Sequence, residues 1–373
     1  MLTPERFTNQ LEKLVAFRTT PDNTEALLDC LVYLRSLLPR EAHSEILRAD
    51  ISPLLLASNS ETKNPDILFL AHADVVEGKD EQFKVKKRGD LLIGRGTSDM
   101  LFSLPLGVAL LSEQLASQTT VSFMLAITTD EETGGFNGAK YLASEYGLKP
   151  QTLIVLDGGD NLRLIKSSKG IIVLEVASEG KPTHPCRPHT GTNPINPIVR
   201  SAAELLKLFP DSESAAGERG STVYIESIEG GNSTDRYSTV SKLEAVVTHP
   251  HTIPQDELIE QILSRLAEQL DQRTKVEILA TGRPVFTDVQ SPAFQLLRKK
   301  LEQQRGKPVS IGIQASGSDA RHFVETGATV LMTKPHGGNV HGENEHISIT
   351  SSMMLYHALV AFMREYKPSQ GTL

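Results

Sequence analysis

Four short apolar runs in the chain are each followed closely by histidine or acidic residues. Their length and their apolar, partly β-branched composition are typical of strands that are buried on both faces. Helix-like stretches lie between them, and this alternation predicts an α/β fold with a doubly wound, mostly parallel sheet. The runs cover residues 67–71, 121–128, 153–156 and 330–333, and they lead respectively to His72, to Glu131 and Glu132, to Asp157, and to His341.

The position of these polar residues matters more than their number. In a doubly wound sheet, sites form at the carboxyl ends of the strands, because these ends meet along one edge. Taken singly, an acidic residue after a strand is typical of a turn or a helix N-cap, and a histidine there is typical of a hydrated surface. Four such coincidences together favour a functional site at this edge.

The middle of the chain has a different order of elements. From about residue 169 to about residue 281 the pattern gives strand, helix, two strands, helix and strand, which is the order of a ferredoxin-like α+β fold. We therefore predict an inserted lid domain at 169–282, between two parts of a catalytic domain at 1–168 and 283–373.

The composition narrows the class of partner. The chain has 373 residues, and 38 Lys and Arg against 46 Asp and Glu give a formal charge of −8. This charge disfavours nucleic acid and anionic membranes and leaves a small solute as the expected ligand. Cys30 and Cys186 are too few for a disulfide framework, so both are predicted to be free thiols. The first residues lack the apolar core of a signal peptide, and we expect a cytoplasmic protein.

Histidine and carboxylate side chains at the predicted edge indicate a zinc-type site, since zinc binds imidazole nitrogen and carboxylate oxygen. His72 and Asp74 share one face of an extended segment, which places Asp74 to accept the second imidazole proton of His72. Glu131 and Glu132 point in different directions, so one can bind metal while the other stays free as a base. The sequence lacks the signatures of nucleophile elbows, H-E-x-x-H metalloproteases, P-loops and dinucleotide-binding loops.

Five short motifs carry these candidate residues. They are His-Ala-Asp-Val-Val at 72–76, Gly-Arg-Gly-Thr-Ser-Asp-Met at 94–100, Asp-Glu-Glu-Thr-Gly-Gly at 130–135, Leu-Asp-Gly-Gly at 156–159 and His-Gly-Glu-Asn-Glu at 341–345. In this order they resemble the co-catalytic zinc exopeptidases and deacylases, the family that includes aminoacylase, acetylornithine deacetylase, succinyl-diaminopimelate desuccinylase and glutamate carboxypeptidase. The resemblance extends over essentially the whole chain.

The resemblance implies a hydrolase with two divalent metal ions, zinc in the first place, with cobalt or manganese as alternatives. The implied ligands, with Asp99 bridging the two ions, are His72, Asp99 and Asp157 for one ion and Asp99, Glu132 and His341 for the other. Glu131 would be the base that activates the bridging water and then returns the proton to the leaving nitrogen.

Two further residues receive roles from the resemblance. Residues 180–194 are similar to the family's lid motif, in which the matching histidine, here His184, reaches the active site of a partner subunit to stabilise the oxyanion. A homodimer through the lid is therefore expected. Arg321, in Gly-Ser-Asp-Ala-Arg at 317–321, resembles an arginine that grips the substrate carboxylate. The family also carries an asparagine in its lid, and the nearest equivalent residue in this chain is Asp235.

The sequence thus predicts a metal-dependent amidohydrolase or metallopeptidase that cleaves the amide bond of N-acyl amino acids or small peptides with a free carboxylate. A dedicated biosynthetic deacetylase or desuccinylase is an alternative within the same chemistry. The alternative from another class is a catalytically silent homologue that binds ligands or assembles. The complete ligand set together with Glu131 argues against the silent homologue.

Overall fold

The computed structural model describes residues 1–49, 52–117, 120–184, 186–213, 220–231, 239–268 and 270–368, so Asp235 lies outside the described residues. Within them, no helix has the length and apolar content that crossing a bilayer requires. The α-helices are α1 (Pro4–Ala16), α2 (Thr24–Ser36), α3 (Ser103–Ala116), α4 (Ala139–Ser144), α5 (Ile195–Leu208), α6 (Gln255–Ala267), α7 (Pro292–Arg305) and α8 (Ile349–Glu365).

Each predicted apolar run corresponds to a strand of the structure. The structure also contains further strands that these runs do not predict. The strands are β1 (His43–Ala49), β2 (Ser52–Ser58), β3 (Ile67–His72), β4 (Lys86–Arg88), β5 (Leu91–Ile93), β6 (Phe123–Thr128), β7 (Thr152–Val155), β8 (Leu164–Ser168), β9 (Gly170–Glu179), β10 (Thr222–Gly230), β11 (Val240–His249), β12 (Thr274–Gly282), β13 (Ile311–Gln314), β14 (Thr329–Met332), β15 (Gly337–Gly338) and β16 (His346–Ser348).

The chain forms two compact units. The first consists of Met1–Lys166, Phe286–Gln314 and Ser318–Leu373, and the second consists of Ser167–Val285 with Ala315–Gly317. The domain boundaries predicted from the sequence, and the role of the inserted segment as a lid and dimerisation domain, stay predictions.

An eight-stranded sheet in the order β1-β2-β6-β3-β7-β14-β8-β13 organises the first unit. Its central strands β6, β3, β7 and β14 pair in parallel, whereas β1 and β2 extend it with antiparallel pairs. Every residue of β3, β6 and β7 is buried, as expected for central strands of an α/β sheet. The predicted α/β fold class is confirmed, with a sheet that is parallel at its centre and antiparallel towards its edges.

Local sequence signals fix the ends of the helices that pack in this unit. Pro292 starts α7 at a position where its missing N–H costs nothing, and Gly306 ends the helix with a φ of 68°. Ser348 caps α8 by accepting a hydrogen bond from the backbone N–H of Ser351, and Asp90 accepts one from the N–H of Thr350. These signals fix the residues at which α7 begins and ends and at which α8 begins.

A small sheet in the order β15-β16-β5-β4 joins two distant parts of the first unit. β5 leads directly into residues 94–99, and β16 begins directly after Glu345. Ile93 pairs with His346, and the N–H of Gly94 donates to the carbonyl of Glu345 at 2.9 Å, so the pairing continues beyond the strands. Two of the sequence motifs are thereby brought together.

The second unit is built on an antiparallel sheet in the order β10-β11-β9-β12. Alternate residues of β9 are buried, which shows that one face of this sheet packs in a core and the other does not. Residues of α5 and α6 share that core with β9, β10 and β11. The order β9-α5-β10-β11-α6-β12 is the ferredoxin-like arrangement predicted from the sequence.

Gly107 lies where α3 packs tightly against the large sheet. A Cβ atom at this position would lie 2.7 Å from Cδ1 of Leu125 and 3.2 Å from a ring carbon of Phe69. Both side chains are fully buried and have no room to withdraw. The packing of α3 against β3 and β6 therefore depends on a residue without a side chain.

We predict that Gly107→Val lowers the free energy of unfolding by about 2 kcal/mol, because the added methyl groups overpack this contact. Ala116→Val is the matched control, since it adds the same branching to an exposed residue at the end of α3 and costs only about 0.5 kcal/mol. Urea unfolding followed by circular dichroism measures both. Equal midpoints for the two variants would contradict the close approach.

Candidate metal centre

Three candidate ligands come from the ends of adjacent parallel strands. His72 is the last residue of β3, which lies between β6 and β7 in the sheet. Glu132 lies in the 3-10 turn Glu131–Thr133 that follows β6, and Asp157 follows β7 by two residues. Because the carboxyl ends of parallel strands meet at one edge, these side chains converge there.

Asp99 lies at the centre of the cluster. Its Oδ1 is 3.3 Å from Nε2 of His72, and its Oδ2 is 3.4 Å from Nε2 of His341. Nε2 of His341 is also 3.2 Å from Oε2 of Glu132. Potential ligand atoms form two groups, each within 4.8 Å, which are His72, Asp99 and Asp157, and Asp99, Glu132 and His341. The structure thus brings together all five ligands expected from the resemblance, with Asp99 shared.

The cluster brings three carboxylates together in a largely buried place. Burial, and then the neighbouring Asp99, raise the pKa of the Asp157 carboxyl well above its ordinary value. Oε1 of Glu132 is buried and has no hydrogen-bond partner among the described residues. A divalent cation in each group would offset this charge, and imidazole with carboxylate is the donor set that zinc and similar ions bind. The residues present therefore fit divalent metal.

Both histidines of the cluster bind protons strongly in this arrangement. Hydrogen bonds with Asp99 and then with Glu132 raise the pKa of His341 to about 10. Burial lowers the pKa of His72, but hydrogen bonds with Asp74 and Asp99 outweigh burial and leave this pKa well above its ordinary value. A metal ion would displace a proton from each ring, because only the neutral nitrogen binds metal.

Asp74 orients His72 through its backbone more than through its carboxylate. Nδ1 of His72 is 2.9 Å from the carbonyl oxygen of Asp74 and 3.5 Å from its Oδ1. The carbonyl is therefore the closer acceptor, and the predicted carboxylate partner lies farther from the ring but within ion-pair distance. The other carboxylate oxygen, Oδ2, accepts a hydrogen bond of 2.9 Å from the backbone N–H of Glu132. One residue thus positions ligands from two neighbouring strands.

Glu131 lies beside the cluster and belongs to neither group of potential ligands. Its pKa is raised to about 7, chiefly by burial and then, against the opposing effect of His72, by the carboxylates of Asp99 and Glu132. A carboxyl group that titrates near neutral pH is able both to accept and to return a proton. This property suits the general-base role predicted for Glu131, which stays a prediction.

The sequence reasoning missed the residues that hold the two ligand loops together. Glu345 is 1% exposed. Its carboxylate accepts hydrogen bonds of 2.9 Å from the backbone N–H groups of Gly96, Ser98 and Asp99. Arg95 donates to the same carboxylate at 2.9 Å and to the carbonyl of His341 at 3.1 Å. The sequence offered one signal for this contact. Arg95 and Glu345 lie in two different motifs, and each motif also contains a predicted ligand.

Arg321 also contacts backbone near the cluster. Its Nη2 donates a hydrogen bond of 2.8 Å to the carbonyl of Gly134, and Nε2 of His322 lies 3.1 Å from the same oxygen. Both side chains therefore brace the turn that follows Glu131. Binding of a substrate carboxylate by Arg321 stays a prediction.

His184 belongs to the second unit, whereas the ligand cluster belongs to the first. Its side chain is exposed, and its Nδ1 accepts a hydrogen bond of 3.2 Å from the backbone N–H of Cys186. The predicted action of His184 on a partner subunit stays a prediction. Cys30 and Cys186 are both free, as predicted, and Cys30 is buried.

Known proteins are similar to this chain in sequence or in fold. A succinyl-diaminopimelate desuccinylase from Bradyrhizobium sp. (strain ORS 278) is 25% identical over 334 residues, which cover 83% of this chain and 85% of that protein. A tripeptidase from Staphylococcus aureus has the same fold with a TM-score of 0.78 at 17% identity, covering 98% of both chains. A metallo-carboxypeptidase from Sulfolobus solfataricus also has a TM-score of 0.78, at 16% identity, and the match covers 96% of this chain and 98% of that one.

A family profile also matches this chain. The sequence profile of peptidase family M20/M25/M40 matches residues 68–365, a range that contains the whole ligand cluster and most of the chain. The chain therefore belongs to peptidase family M20/M25/M40 and is a metal-dependent hydrolase.

Proposed function

We propose that this protein is a two-metal hydrolase that cleaves the amide bond of N-acyl amino acids or small peptides with a free carboxylate. The observation that carries the proposal is the shared position of Asp99 between two groups of potential ligands. A carboxylate whose two oxygens face different histidines is the arrangement expected for a bridging ligand. Imidazole and carboxylate donors favour zinc, with cobalt or manganese as alternatives.

Some of the side chains around Asp99 would bind the metal ions, and Glu131 would transfer the proton. Two divalent ions, when bound, polarise the scissile carbonyl and lower the pKa of the attacking water. Glu131, which belongs to neither group of potential ligands, would accept a proton from that water and then donate it to the leaving nitrogen. Asp74 keeps the His72 ring and the backbone of Glu132 in place meanwhile.

The relatives support an amide substrate and leave the acyl group open. They include a desuccinylase, a tripeptidase and a carboxypeptidase, and an amide bond is the substrate feature that we carry over to this chain.

The zinc-loaded protein is to be screened against N-acetyl, N-succinyl and N-formyl amino acids and against dipeptides. Turnover confined to one acyl group would favour a dedicated deacetylase or desuccinylase. No turnover on the whole panel, with zinc bound, would favour a silent homologue.

We predict that Glu131→Gln lowers kcat by at least about 100-fold while the protein binds as much zinc as the wild type. The amide keeps the shape of the side chain but cannot accept the proton, and both groups of potential ligands stay intact. Glu145→Gln, which changes an exposed glutamate of the same unit, is the matched control and retains activity. Zinc is measured by atomic absorption after dialysis. Loss of zinc by Glu131→Gln would show that Glu131 is a ligand instead.

We predict that zinc binding releases protons and weakens as the pH falls from 8 to 6. The raised pKa values of His72 and His341 mean that protons compete with zinc below those pKa values. The affinity should change by about 10-fold per pH unit for each proton displaced. Calorimetry in two buffers with different ionisation enthalpies counts the protons. An affinity that does not vary between pH 6 and pH 8 would contradict the ligand roles of these histidines.

We further propose a homodimer through the second unit in which His184 acts on the partner subunit. The exposed apolar residues Tyr224 and Ile228 on edge strand β10 support an interface there, since such edges are normally covered or charged. Mixing the inactive variants Glu131→Gln and His184→Ala should restore activity, because one site of each mixed dimer combines an intact Glu131 with an intact His184. If subunit exchange is verified and activity stays absent, His184 does not act in trans.

A further inference from the structure

Lys334 is a cation at the metal centre to which the proposed function assigns no role. It follows β14 by two residues, and its Nζ is 3.9 Å from Oδ1 of Asp157. The side chain is only 9% exposed. Within the part of the chain that the structure describes, its ammonium has no hydrogen-bond partner, so all three N–H donors are available to a ligand.

The backbone around Lys334 is held firmly. The carbonyl of Lys334 accepts a hydrogen bond of 2.8 Å from the N–H of Leu162, and the carbonyl of Pro335 accepts one of 3.3 Å from the N–H of Asn161. The proline ring also restricts the conformation of the residue before it. The ammonium is therefore presented from a rigid part of the scaffold, as a binding group requires.

The contact with Asp157 does not account for this ammonium in the metal-loaded protein. A separation of 3.9 Å exceeds hydrogen-bond length, and Asp157 would give its charge to a metal ion. The ammonium of this largely buried side chain would then lie beside a cation without an anion of its own. A charge in that position is unfavourable unless an anionic group pairs with it.

We propose that Lys334 binds the free carboxylate of the substrate and so selects N-acyl amino acids and peptides whose carboxyl group is unblocked. The inference rests on the proposed two-metal hydrolase function. Arg321, to which the resemblance assigns this role, already donates from Nη2 to the carbonyl of Gly134. Lys334 differs because none of its donors is engaged within the described residues and because it lies next to a potential metal ligand.

Kinetics on matched substrates test the assignment. Lys334→Met keeps the length of the side chain and removes its charge, and Lys334→Arg keeps the charge. Lys166→Met is the control, since it makes the same change to an exposed lysine of β8. For the preferred N-acyl amino acid, Lys334→Met should raise KM by about 10- to 100-fold, with kcat within about threefold of the wild type. KM for the matching carboxamide should stay unchanged, and Lys334→Arg should recover part of the loss.

Two binding measurements give a result that does not depend on turnover. Zinc should bind Lys334→Met at least as tightly as the wild type, because the variant lacks a cation that repels the ion. Succinate, as a simple carboxylate probe, should bind the zinc-loaded variant at least about 10-fold more weakly than the wild type in calorimetry. Weaker zinc binding, unchanged succinate affinity, or equal losses on the acid and the carboxamide would overturn the proposal.

The same measurements separate failure of the inference from failure of the proposed function. If the wild type hydrolyses none of the panel, the proposed function is wrong, yet the succinate comparison still decides whether Lys334 binds carboxylate. If the wild type is active and Lys334→Met discriminates acid from carboxamide as the wild type does, only the inference is wrong.

Discussion

The metal centre depends on a buried ion pair between Arg95 and Glu345. The Glu345 carboxylate accepts hydrogen bonds from backbone N–H groups of the loop that carries Asp99. The Arg95 guanidinium donates to this carboxylate and to the carbonyl of His341. Both side chains are at most 4% exposed. Removing one partner of such a pair typically costs about 3–5 kcal/mol, because the other charge is left buried and alone. Two potential ligands, Asp99 and His341, are thereby fixed relative to each other although more than 200 residues separate them.

The large sheet imposes the second constraint, which is the crowding of carboxylates at one edge. Parallel pairing of β3 with β6 and β7 brings His72, Glu132 and Asp157 to the same place. Burial then raises the pKa of the Asp157 carboxyl and of Glu131. The same geometry that is unfavourable for the protein alone is the one that bound divalent cations would stabilise. Fold and chemistry are thus coupled through electrostatics at the strand ends.

The parts of this centre that follow from local patterns were predictable. Apolar runs identify β3, β6, β7 and β14, and the rule for parallel sheets then places the residues after the first three at one edge. The antiparallel strands β1 and β2 were not predicted, because β1 mixes polar and apolar residues and the short apolar stretch of β2 contains a proline and no β-branched residue. The ferredoxin-like order of the second unit followed from its regular alternation of elements.

Features that depend on contacts between distant residues could not be predicted from one sequence. No local pattern shows that Glu345 accepts hydrogen bonds from residues near 96, about 250 positions earlier. Spacing suggested that Asp74 holds His72 through its carboxylate, but only coordinates reveal that the carbonyl is closer. Lys334 likewise gives no signal in the sequence, since a lysine after a strand is ordinarily a surface residue.

Equilibrium zinc binding to single-ligand variants shows whether Asp99 serves two metal ions. If it does, the wild type binds two zinc ions per chain, Asp157→Asn and Glu132→Gln each bind one, and Asp99→Asn binds both ions more weakly. A wild-type stoichiometry of one, or an Asp99→Asn protein that still binds two ions with undiminished affinity, would contradict it.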